Sequence, residues 1–275
     1  MSIEAKSRVE ADPFRYGYRV VARKRPDGRV ETAEVPLSLE DLLFPREGDQ
    51  ELHNQEHIEL CLDLYAVFRE RLRHDPGALV LTDHRVDYNV PGIPPVGPDV
   101  AIFRDAAVSP GTATVDLGEG GRPVLVIEVT SPETRKNDFG IKKEIYHRAG
   151  VPVYAIVDLR PTRKRPRSLH GFRHTPEGYE PIPPDDQGRL WLEPVNLWLA
   201  IADDRVICLD GETGAKIGDY LEQVQGRREA EARAEAERAR AEAERARAEA
   251  ERARADTFEA RLAAMEEEIR KLKGG

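Results

Sequence analysis

Residues 123–130 read Pro-Val-Leu-Val-Ile-Glu-Val-Thr, and the glutamate inside that apolar run constrains the fold more than any other residue. An ionised carboxylate is costly to bury unless it is paired or bound to a cation. Whatever fold forms must bring a partner to Glu128. Two neighbouring segments carry further charged or polar groups. Pro98-Asp99 opens the apolar run Val-Ala-Ile-Phe, and Lys142 and Tyr146 lie one helical turn apart just before Gly150.

Four short runs rich in Val, Ile and Leu, at 78–82, 98–103, 124–130 and 153–159, read as strands. The last two lack alternation, as strands covered on both faces do. Residues 52–73 carry apolar side chains at helical spacing, and 137–149 reads as a helix ended by Gly150 and Pro152. Helix, three strands, helix, strand predicts an α/β core of the α+β, mixed-sheet kind, with the third and fourth strands parallel through a right-handed crossover. Residues 1–36 read as a polar β extension with a turn at Arg25-Pro-Asp-Gly28, and 37–43 as a short helix capped by Ser38. Residues 160–184 read as a loop with at most a hairpin, and 188–207 as two strands around Trp191 and Trp198 that extend the sheet.

The last fifty residues change character. Arg-Ala-Glu-Ala-Glu-Arg-Ala recurs at 233–239, 240–246 and 247–253, giving an alanine seam on a charged helix. Larger apolar residues follow at Phe258, Leu262, Met265, Ile269 and Leu272, in a 4-3-4-3 pattern out of phase with the alanines. The reading is three segments: the extension 1–36, a catalytic-type domain 37–222, and a heptad helix 223–275. The tail is a solvated spacer or a coiled coil over the repeat, and a self-association segment at its end. A homo-oligomer through 226–275 is the expectation.

The net charge of −9 excludes a generally basic surface but not a local basic groove. Cys61 and Cys208 fit neither a disulfide framework nor a paired-cysteine metal site. The first residues lack the apolar run of a signal peptide and no segment reaches bilayer length, so a cytoplasmic protein without membrane contact is expected.

Asp99 and Glu128 on adjacent strands, with the backbone carbonyl of Val129, offer oxygens to a hard cation such as Mg²⁺, with Mn²⁺ as a substitute. Lys142 is placed to act on a water or a phosphate beside it. Pro98-Asp99, Glu128 to Pro132, Thr134, Asp138, Lys142, Tyr146, Gly150-Val151-Pro152, Tyr154 and Asp158 together resemble the PD-(D/E)XK restriction-endonuclease-like superfamily, and within it the Uma-two family. The resemblance is strong over 95–160 and extends by element order to 35–210. It implies a restriction-endonuclease-like core and a metal-dependent endonuclease that cleaves DNA, with Asp99, Glu128 and Lys142 catalytic. Two positions depart from the pattern. Thr130 stands where the superfamily lysine usually sits, which implies that its role has moved to Lys142, and Val153 and Ala155 replace the Glu and Trp common in the family.

Ser131, Tyr146 and Glu56 are possible supporting residues, and Arg163, Lys164, Arg165 and Arg167 are candidate phosphate contacts in a basic stretch. Two other readings stay open. His53-Asn-Gln-Glu56-His57 matches the HxxEH pattern of zinc peptidases. The domain is otherwise a nuclease fold without activity, whose tail recruits a partner.

Overall fold

The computed structural model describes residues 12–106, 114–117, 121–131, 134–159 and 166–273, and the chain divides into two units, Met1–Tyr220 and Leu221–Gly275.

The first unit begins with β1 (Gly17–Lys24) and β2 (Val30–Pro36), a hairpin turning through Arg25 to Gly28, followed by α1 (Leu39–Leu43) and β3 (Asp49–Glu51). β1 pairs with both strands, in the order β2-β1-β3. Ser38 and Asp41 form a capping box on α1, each side chain bonding the other's backbone N–H. Arg19 on β1 holds these elements together, with its guanidinium on Asp49 and Asp41.

Next comes α2 (Gln55–Arg71), capped by Asn54, and then β4 (Ala78–Thr82), β5 (Arg85–Asp87), β6 (Val100–Arg104), β7 (Thr114–Asp116) and β8 (Arg122–Thr130). Two helices, α3 (Arg135–Phe139) and α4 (Ile141–Arg148), lead to β9 (Val153–Asp158). The hairpin β10 (Ser168–Thr175) and β11 (Gly178–Ile182) completes a six-stranded sheet in the order β11-β10-β9-β8-β6-β4. Within it β8 and β9 are parallel, as the sequence predicts, and the other pairings are antiparallel.

Three expectations need correction. The helix predicted over 137–149 is two helices that break at Gly140, where a Cβ would lie 2.8 Å from the Lys136 carbonyl oxygen. The hairpin within 160–184 is not an isolated loop feature, because it supplies two strands of the main sheet. The strands around Trp191 and Trp198 do not extend that sheet. They form β12 (Leu190–Leu192) and β13 (Leu197–Ala202), which pair with β14 (Arg205–Asp210) and β15 (Lys216–Ile217) in a separate antiparallel sheet. Gly150 ends α4 at φ +70°, a left-handed conformation that glycine adopts without steric cost.

Strand parity sorts the core into two layers. Val100, Ile102, Leu125, Ile127 and Val129 pack with Leu60, Leu64 and Phe68 of α2 and with Leu190, Leu192, Leu197 and Leu199 of the second sheet. Ala101, Phe103, Val126 and Ile156 face the other way, onto Ile145 and Tyr146 of α4. Asp99 and Glu128 share the parity of this second set. The fold thus sends both acids toward the α4 side. Arg71, at the end of α2, clamps the second sheet through Asp210 and the carbonyls of Val195 and Asn196.

The second unit is mainly one helix, α5 (Tyr220–Lys273), as the repeat predicts. No helix among the described residues is long and apolar enough to cross a membrane.

The Arg19 cluster makes a pH-dependent contribution. Hydrogen bonds from Ser38 hold Asp41 below its ordinary 3.8, and at Asp49 the opposing effect of burial is outweighed by Arg19 and the Arg46 N–H. A depressed carboxyl stabilises the fold fully above its unfolded value and loses that contribution as pH falls below it. Asp49→Asn should cost about 2 kcal/mol at pH 7 in urea unfolding. The difference from wild type should shrink as the pH is taken below 3.8; a pH-independent difference would assign the effect to packing.

Candidate active site

Antiparallel pairing of Val100 with Ile127 brings Asp99 abreast of Glu128 at the end of the β6–β8 ladder. Asp99 Oδ2 accepts the Val129 N–H at 2.6 Å, and the Asp99 carbonyl accepts from Thr82 Oγ1 at 2.8 Å. Both ends of the residue are fixed. Glu128 is 1% exposed, and its partners come from α4. Lys142 Nζ donates to Oε2 at 2.8 Å and Tyr146 OH to Oε1 at 2.6 Å. Positions 142 and 146 lie on one helical face, which is why a single helix satisfies both oxygens.

Lys142 also donates to the Gly97 carbonyl at 3.3 Å and lies 3.7 Å from Asp138 Oδ1. Asp138 is buried, its Oδ1 has no hydrogen-bond partner, and its backbone carbonyl accepts from Tyr154 OH at 2.8 Å. His57, from α2, places Nε2 3.5 Å from Asp99 Oδ1, and its ring stacks on His53 at 4.4 Å. His53 in turn lies 3.8 Å from Glu51.

Asp99, Glu128, Asp138, Lys142, Glu51, His53 and His57 line one cavity of about 320 Å³, together with Arg15, Asp83, Ser131 and Thr134. Five carboxylates, Glu51, Asp83, Asp99, Glu128 and Asp138, face it, against Lys142 and Arg15. Burial pushes Glu51 up to about 7 and Asp138 up to about 6. Burial also drives Glu128 well upward, against the pull of Lys142. At Asp99 the same burial is outweighed by His57 and Lys142, and its carboxyl stays well below the usual range. Burial opposes the charge on Lys142, but Glu128, Asp138 and Asp99 raise its value and keep it protonated.

The donor set suits a divalent cation. Each oxygen of Glu128 keeps a second lone pair, Asp138 Oδ1 lacks a hydrogen-bond donor, and carboxylates outnumber cationic side chains. His57, Cys61 and Asp99 also place one ligand atom each within 4.8 Å of one another, a mixed nitrogen, sulfur and oxygen set. No sequence signal marked Glu51 or Arg15, because each reaches the cavity from a distant segment. Asp138 was visible, four residues before Lys142.

Other expected residues fall elsewhere. Glu56 pairs with Arg167 and does not line this cavity, and Arg167 also lies 3.2 Å from Asp204. Arg163, Lys164 and Arg165 lie outside the described residues. Ser131 caps the following turn, its Oγ accepting the Thr134 N–H at 3.1 Å. Lys143 lies over the Phe172 ring, 3.8 Å from its centroid, turned from the site. The HxxEH reading fails on geometry: His53 precedes the helix, and Glu56 points away from both histidines' cavity. Val153 and Ala155 sit in the apolar layer against α2, on the face opposite Glu128, so their departure from the family pattern alters packing.

A mixed sheet with a parallel β8–α4–β9 crossover, two acids at the ends of adjacent strands and a lysine on the crossover helix define the restriction-endonuclease-like class. The chain belongs to the Uma2 family, whose description is "Putative restriction endonuclease" and whose model matches residues 49–202. Among solved structures it is similar to one described as a "putative nuclease belonging to DUF820" from Anabaena variabilis, at 12% identity and a TM-score of 0.41, over 55% of this chain and 80% of that one. No curated protein matches it.

The buried pair makes a stability prediction. Lys142→Met leaves Glu128 without its cation and should cost about 3–5 kcal/mol in chemical denaturation, whereas Lys142→Met with Glu128→Gln should recover most of that loss. Equal loss in the single and double variants would show that the lysine contributes packing rather than charge.

Proposed function

We propose that the chain is a divalent-metal-dependent endonuclease that hydrolyses DNA phosphodiester bonds, with Mg²⁺ as cofactor, Mn²⁺ as a substitute, and Asp99, Glu128 and Lys142 as its catalytic residues. The observation that carries this reading is the meeting of those three side chains at one cavity, from two strands and a helix. The electrostatics point the same way. A cavity lined by five carboxyl groups, with Asp99 ionised among them, disfavours a polyanion, and a bound cation would offset that charge.

Asp99 and Glu128 would hold the metal, with the Val129 carbonyl as a further oxygen. When bound, the ion polarises a phosphoryl oxygen and makes water nucleophilic near neutral pH. Asp99 is held in place by the Val129 N–H and by His57, and Glu128 by Tyr146. Lys142, kept protonated by its acidic neighbours, serves as fixed positive charge that orients the water or balances charge on the scissile phosphate. That setting favours orientation over proton abstraction by the lysine. Free buried thiols at Cys61 and Cys208 fit a reducing, cytoplasmic setting, and the heptad tail fits self-association.

The experiment is incubation of purified protein with plasmid, single-stranded DNA and RNA under Mg²⁺ or Mn²⁺. Asp99→Ala, Glu128→Ala and Lys142→Ala should each lower cleavage by at least about a hundredfold, while Lys143→Ala cuts as wild type does. Undiminished cutting by the Asp99 and Glu128 variants would remove this site. A wild-type chain that binds DNA but cuts none of the three substrates would favour a non-catalytic, partner-recruiting role.

A further inference from the structure

We infer that two copies of the chain join in parallel through α5, tethering two nuclease domains at the same end of one coiled coil, and that the pair cuts both strands of one duplex before release. The double cut rests on the nuclease reading above; the assembly stands on α5 alone.

Within α5, Phe258, Leu262, Met265 and Ile269 are 67%, 45%, 63% and 48% exposed. Their 4-3-4 spacing is that of a coiled-coil seam, with Leu262 and Ile269 at a positions and Phe258 and Met265 at d positions. A stripe of large apolar side chains repeating every 3.5 residues is complementary to itself, and the charged rows beside it select the orientation. Arg254 and Arg261 occupy g positions, and Glu259 and Glu266 occupy e positions. In a parallel, in-register pair each g residue faces the e residue five positions further along the other copy. Arg254 then meets Glu259 of the second copy, and Arg261 meets Glu266. Both contacts are attractive.

The alanine repeat carries the same instruction independently. Flanking its seam of Ala236, Ala239, Ala243, Ala246, Ala250 and Ala253, the g row is Glu235, Glu242 and Glu249, and the e row is Arg240, Arg247 and Arg254. Parallel neighbours set glutamate against arginine at every step. Antiparallel neighbours set glutamate against glutamate and arginine against arginine, which charge repulsion disfavours. Because the two seams differ in phase, the large side chains anchor the pair. The helix from Tyr220 to Arg254 then spans about 50 Å as a spacer.

Parallel pairing attaches both domains at the N-terminal end of the coil. One catalytic site breaks one P–O bond with one water, so a duplex break needs two such events on opposite strands. Tethering turns the second event into an intramolecular one, at an effective concentration of order millimolar.

The test uses the full-length chain. Leu262→Cys should cross-link to a covalent dimer on mild oxidation, because a positions face each other in a parallel pair and a faces d in an antiparallel one; Cys61 and Cys208 are buried. Glu259→Arg with Glu266→Arg should weaken the dimer at least about tenfold in sedimentation equilibrium, and adding Arg254→Glu with Arg261→Glu should restore it. Circular dichroism verifies that α5 stays helical in each. On supercoiled plasmid, wild type should yield linear product with little nicked intermediate, and Leu262→Asp with Ile269→Asp should yield nicked circles first. A monomeric wild type, or a dimer that Leu262→Cys fails to cross-link, overturns the parallel assembly. A cross-linked dimer that only nicks overturns the double cut while leaving the nuclease reading intact. If no DNA is cut at all, both the double cut and that reading fall, and the cross-link alone decides the assembly.

Discussion

The buried contact of Glu128 with Lys142 and Tyr146 fixes more of this molecule than any other interaction. Burial of a carboxylate at 1% exposure is tolerable only with donors on its oxygens, and both donors come from one face of α4. That requirement sets the rotation of α4 about its axis and its height along β8. Tyr154 OH on β9 then bonds the Asp138 carbonyl, which ties the start of the crossover to the strand that follows it. Thr130 and Arg135 add a second link by converging on Asp158 at the end of β9. The β8–α4–β9 crossover and the candidate site are therefore one structure: nothing can shift the helix without unpairing the acid.

How much of this could be read from the sequence depended on range. Local periodicity placed α2, the four apolar strands and the parallel pairing of β8 with β9, because a buried strand, a helix and a second buried strand leave few topologies. Glu128 was visible for a physical reason, since a carboxylate inside an apolar run needs a partner or a cation, whereas Asp99 and Lys142 were singled out with it through the family resemblance. What the pattern does not carry is the choice of partner for a strand. The hairpin β10–β11 and the strands around Trp191 and Trp198 both carry apolar runs, yet one joins the main sheet and the other forms a second sheet, whose Leu190, Leu192, Leu197 and Leu199 share the apolar layer of α2 and pack beside β10. Likewise Glu51 and His57 reach the cavity only through the tertiary course of the N-terminal segment. Arg167 read as a free cation, and is spent on Glu56 and Asp204.

The cavity's charge sets stability against function. Five acidic side chains converge on a space of about 320 Å³ with two cationic side chains, and burial pushes three of them, Glu51, Asp138 and Glu128, upward. An assembly of that kind lowers the stability of the empty fold, since each buried acid either stays charged at an electrostatic cost or takes up a proton. The fold offsets this with rigid supports: the Val129 N–H and His57 for Asp99, Lys142 and Tyr146 for Glu128. Asp138 Oδ1 is left without a hydrogen bond, the kind of buried acceptor that a folded chain rarely leaves idle. Preorganised acids with spare lone pairs would accept a cation without rearranging, which is how the proposed metal-dependent reading accounts for the cost.

The tail works on different physics. The first unit specifies its structure by burying unlike elements against each other, while α5 repeats a seven-residue motif whose described apolar side chains remain exposed. A repeat without a core cannot select a partner by shape, so charge order along its edges must do so. The glutamate and arginine rows supply such an order in two frames that share Arg254, and in the proposed pair both favour the parallel arrangement. A single row of alternating charges could arise from the need for solubility alone. Two frames, out of phase and agreeing on orientation, are what the proposed parallel pair requires, because solubility sets how many charges a helix carries and not which face each occupies.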